Sequence, residues 1–97
     1  MGQRLLHRRL TQASSRLSEL RTELLVVEDQ MSHVVDDADD KAMRALVSET
    51  PAADFEYRDV KRHADAMLRS HQRIVNEIAD LERKINDLLD RMKESNP

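Results

Sequence analysis

The sequence predicts an all-α protein, an antiparallel coiled-coil helical hairpin that dimerises into a four-helix bundle. Three observations lead there: two long heptad stripes of apolar residues, one helix-start signal between them, and a composition suited to long helices.

The first stripe predicts the first helix, over residues 4–48. Steps of four and three from Leu6 land on Leu10, Ala13, Leu17, Leu20, Leu24, Val27, Met31, Val34 and Ala38, all apolar. That is a heptad register, whose 3.5-residue period keeps one side of a supercoiled helix apolar. Residues 42–47 continue in helix-forming composition.

The turn comes next, around residues 49–53. Thr50 is a good N-cap, and Pro51 sits at the first helical position, where its missing N–H costs nothing. Asp54 adds negative charge to the first turn, which the helix dipole favours. The last residues of this turn therefore already belong to the second helix, predicted over 51–94.

The second stripe runs through Tyr57, Val60, Ala64, Met67, His71, Ile74, Ile78, Leu81, Ile85, Leu88 and Met92. Only His71 breaks its apolar character. A short link makes the helices antiparallel neighbours. Opposed stripe residues, from Leu6 with Met92 to Ala38 with Val60, then have a constant number sum that puts the fold-back at residue 49, beside Thr50. Each arm should be roughly 60–65 Å long at the helical rise per residue.

Composition agrees. The chain of 97 residues has one Phe, one Tyr, no Trp and no Cys, and 36% of it is charged. So few aromatics argue against a compact, many-layered core. The lack of cysteine excludes a disulfide framework and a thiolate metal site. No apolar run approaches a membrane span and no signal-peptide core is present, so the expected location is the cytoplasm.

Two features imply more than a lone hairpin. In the constant-sum register Arg9 faces Arg91, Arg16 faces Lys84 and Glu23 faces Glu77. Either the register is shifted, or these like-charge side chains answer to a second molecule. A second apolar stripe, Leu68, Val75 and Leu89, lies beside the seam of helix two, and Leu25, Val26 and Val35 broaden helix one. A three-in-seven apolar face belongs to a bundle. Scattered exposed Leu and Val are the bland alternative. The expected partners are a second copy of the chain and a further protein.

Charge is asymmetric although the net is only −3. Residues 1–22 hold five Arg and one acid, whereas 28–59 hold ten acids and three bases. Asp36, Asp37, Asp39 and Asp40 crowd one turn. Such a cluster suits docking on a basic partner or weak Mg²⁺ binding, and the bland reading is a solvated tip. Arg4, Arg8, Arg9 and Arg16 form a basic arm suited to phosphates, in nucleic acid or at a lipid surface. No aromatic platform for base stacking accompanies it, and a solvated helix face is again the default.

The Asp36–Asp40 cluster near the end of a hairpin resembles the coiled-coil arm of bacterial transcript-cleavage factors, the Gre family. The resemblance implies an acidic-tipped regulator of RNA polymerase, reaching into the secondary channel and helping to hold a catalytic Mg²⁺. The chain departs from that family by lacking its globular C-terminal domain. Its acids also lie about two turns back from the fold-back.

His71, polar within the seam, is the candidate specificity residue, since a polar seam position selects register and partner number. His63, with Asp59 and Asp37 near it, reads first as a charge-paired histidine and only second as a metal ligand. Ser14, Ser15 and Ser18 have no aligned base, and no phosphate loop or zinc spacing occurs. The sequence thus predicts neither catalysis nor a cofactor. It predicts a protein–protein interaction module, an adaptor, regulator or structural subunit, with nucleic-acid association through the basic arm as the rival.

Overall fold

The computed structural model describes residues 2–94. It contains two helices, α1 (Gly2–Ser48) and α2 (Pro51–Glu94), joined by Glu49 and Thr50. Helix α1 begins two residues before the sequence-based start at residue 4. No cap or proline marks that end, so the helix simply runs on toward the terminus.

The turn is built from local bonds. The Glu49 N–H donates to the Ala45 carbonyl at 3.2 Å, which completes the last turn of α1. Glu49 then takes a positive φ of 51°, the left-handed conformation that ends many helices. Thr50 caps α2: its Oγ1 accepts from the Ala53 N–H at 3.2 Å, and its carbonyl accepts from the Asp54 N–H at 3.1 Å. The hydroxyl thereby satisfies one of the donors that a helix start leaves unpaired, and the carbonyl takes the first intrahelical bond. Asp54 also pairs with Arg58 at 2.6 Å within the first turns of α2.

The chain divides into two compact units. The first, the base unit, combines Met1–Leu24 with Arg73–Pro97. Its core is leucine-rich: Leu17, Leu20 and Leu88 are buried around Ala13, and Leu20 keeps only 1% of its surface. Fully burying a leucine contributes about 1.5–3 kcal/mol, so these three are a substantial part of the unit's apolar stabilisation. Two ion pairs link its helices, Arg16 with Glu77 at 3.3 Å and Arg21 with Glu82 at 3.8 Å.

The second, the tip unit, is Leu25–Gln72, a helical hairpin closed by the turn. Its fully buried residues are small, Ala38 and Ala64. The larger seam residues Val27, Met31, Val34, Tyr57, Val60 and Met67 are half-buried. Lys41 continues the seam, its stem laid along apolar surface while its ammonium reaches Glu56 at 3.9 Å.

In both units the predicted stripe faces the partner helix. None of its residues, from Leu6 to Ala38 or from Tyr57 to Met92, is exposed. Among the described residues, no helix is long and apolar enough to cross a membrane.

Candidate interaction surface

The tip unit carries a concavity that bears on partner binding. On the flank of the helix pair, Ala38 and Ala42 of α1 meet Ala64 of α2, and three such small side chains leave a hollow. Val35, Tyr57 and Leu68 form its apolar walls, with Asp39, Lys61 and Asp65 at its rim. The space is about 190 Å³. That is enough for one large apolar side chain, since a cavity of about 150 Å³ admits a benzene-sized group. Leu68 stands 46% exposed at this hollow, so a partner that covered it would remove apolar surface from water. The Lys61 ammonium donates to Asp65 at 3.3 Å, which leaves Asp39 as the rim charge without an ion pair among the described residues.

One member of the acidic cluster, Asp39, lies at this hollow. Asp36, Asp37, Asp39 and Asp40 are all exposed. Asp40 pairs with Arg44 at 3.6 Å. Among the described residues the other three have no ion-pair partner. Among the same residues no group of three His, Cys, Asp or Glu side chains is arranged to hold a metal ion. The acids thus form an open field and not a chelating cage. His63 is exposed at its helix face.

A second apolar surface lies at the turn. Leu46 and Val47 near the end of α1 are 73% and 78% exposed, and Met43 and Phe55 are also largely exposed. Met43 and Val47 share a shallow groove with Ala53, rimmed by Asp40, Arg44 and Glu56. Sequence reasoning passed over this patch because residues 42–47 continue the helix. The signal was available: the heptad steps beyond Ala38 land on Lys41 and Ala45, which leaves Met43, Leu46 and Val47 off the seam.

Compared with known proteins, the chain matches no family model, no curated protein and no solved structure. Its surfaces therefore carry the functional argument by themselves.

The remaining candidate residues fall in different places. Leu89, 47% exposed, and Val75, half-buried, belong to the base unit, whereas Leu68 belongs to the tip unit. Arg4, Arg8 and Arg9 are exposed, with no ion pair among the described residues. Arg16 behaves differently. Its guanidinium lies 3.2 Å from Glu19, 3.8 Å from Glu23 and 3.3 Å from Glu77. Its pKa is raised, chiefly by the hydrogen bond to Glu19; desolvation, next in size, opposes the rise, and the charges of Glu23 and Glu77 add to it. The like-charged Glu23 and Glu77 thus share a cation that reaches along and across the helices. Arg16 is engaged within its own unit, and the basic arm left open to a partner is Arg4, Arg8 and Arg9.

His71 sits half-buried in the seam of the tip unit, with Nε2 3.7 Å from a Glu28 carboxylate oxygen. Its side chain keeps 27% exposure, so the ring edge meets water beside that carboxylate.

Proposed function

We propose that this chain is a non-enzymatic protein–protein interaction module, a coiled-coil hairpin that self-associates into a four-helix bundle. In that assembly it serves as an adaptor, regulator or structural subunit. The observation that carries this reading is the alanine-floored hollow with half-exposed Leu68 at its wall. A large apolar side chain from a neighbouring helix would fill it, as knobs fill holes between packed helices. Leu89 and Val75 extend the same kind of face on the base unit, where Leu89 is 47% exposed. Apolar side chains held half out of water on an already paired helix favour a further helix layer.

The test replaces Leu68 and Leu89 together by Gln, a good helix former that keeps the side-chain length. Neither residue is buried in its own unit, so circular dichroism should show unchanged helix content. Sedimentation velocity should show the self-associated species of the parent chain replaced by monomer. If the double variant associates as tightly as the parent, the stripe is not the interface and this reading fails.

A further inference from the structure

We infer that two copies of the chain pair tip to base, with the acidic tip unit of each docked on the basic N-terminal arm of the other. This rests on the self-association proposed above and adds its orientation, which the stripe alone leaves open.

Charge distribution argues for it first. The tip unit, residues 25–72, holds eleven acids and six bases, a net charge of −5. The base unit, residues 1–24 and 73–97, holds eight acids and ten bases, a net charge of +2. Copies aligned tip to tip would bring two units of −5 together. Copies aligned tip to base would bring opposite charges together. Like charges across an interface are a strong orientation filter, and the field acts over about 10 Å at ordinary ionic strength.

Side chains argue for it second. Among the described residues Arg4, Arg8 and Arg9 have no ion-pair partner, and neither do Asp36, Asp37 and Asp39. These are the charges that a second copy can pair without breaking an existing bond. Each set also has an apolar companion. Leu5, between the arginines, is 47% exposed. The hollow walled by Val35 and Leu68, with Asp39 at its rim, has room for one such side chain. A basic helix with an apolar knob thus meets an apolar hole beside the carboxylate of Asp39.

Charge reversal tests this with three variants. The tip variant carries D36K, D37K and D39K, the arm variant carries R4E, R8E and R9E, and the third carries all six. All of the altered residues are exposed and none is ion-paired among the described residues, and circular dichroism checks that each variant keeps its helices. Dimer dissociation constants are measured by sedimentation equilibrium in low salt. Tip-to-base pairing predicts that each single set weakens dimerisation roughly tenfold or more. The six-fold variant should return to within about threefold of the parent, because both signs are exchanged. At about 0.5 M salt the differences should collapse. If the parent dimerises and every variant matches it, the copies pair tip to tip or through other surfaces, and this orientation is overturned while self-association stands. If the parent is a monomer at every concentration, both readings fall.

Discussion

Replacing Glu49 by glycine should stabilise the protein, and the turn geometry sets the size of the effect. Glu49 holds φ at 51°. A non-glycine L-residue in that left-handed region carries about 1–2 kcal/mol of strain from its Cβ. Glycine removes it, but it also gives the unfolded chain more freedom, which costs about 0.4–1 kcal/mol. The difference leaves about 0.5–1 kcal/mol of net stabilisation. Removing the carboxylate also changes the charge between two helix ends, so Glu49→Ala serves as the control. Alanine loses the same charge but keeps the Cβ and hence the strain. Urea unfolding followed by circular dichroism, at one fixed protein concentration, measures both variants. With a slope of about 1–2 kcal/mol per molar urea for a chain of this size, the glycine variant should shift the midpoint upward by about 0.5 M. The alanine variant should stay near the parent. A glycine variant that is less stable than the parent, or an alanine variant that gains as much, would refute the strain argument.

Three further outcomes follow from the same structure. Thr50→Ala removes the hydroxyl that accepts from Ala53, so urea unfolding should show a loss of about 1 kcal/mol. Leu20→Ala empties the most deeply buried site of the base unit and should cost about 2–5 kcal/mol in the same assay. Hydrogen exchange should be slower around Leu17, Leu20 and Leu88 than around Ala38 and Ala64. The base unit buries leucines where the tip unit buries only alanines, and local opening is easier where little apolar surface is fully buried.

The helices and their inward faces were legible in the sequence because helical periodicity is local. Nothing but apolar residues and His71 falls on the two stripes, and none of these side chains is exposed in the structure. Thr50 and Pro51 were legible for the same reason, since a cap and a first-turn proline act within a few residues. The left-handed Glu49 was not, because neither Gly nor Asn marks it. The hollow was not either. Its depth depends on Ala38, Ala42 and Ala64 coming from two helices to one place, a coincidence across the pair that spacing along one helix does not reveal. Leu68 and Asp39 were singled out separately, as stripe and as acid, and the structure sets both at that hollow. The contacts of Arg16 were not legible either. A register pairs backbone positions, whereas an arginine side chain reaches along the helix, and here it settles among Glu19, Glu23 and Glu77.

Light scattering on a sizing column, over a concentration series of the parent chain, tests the central proposal most directly. The account predicts a mass twice the 11.3 kDa of one chain, falling toward one chain only on dilution. A mass of 11.3 kDa at every concentration would contradict it, and the half-exposed leucines would then belong to a surface that self-association does not use.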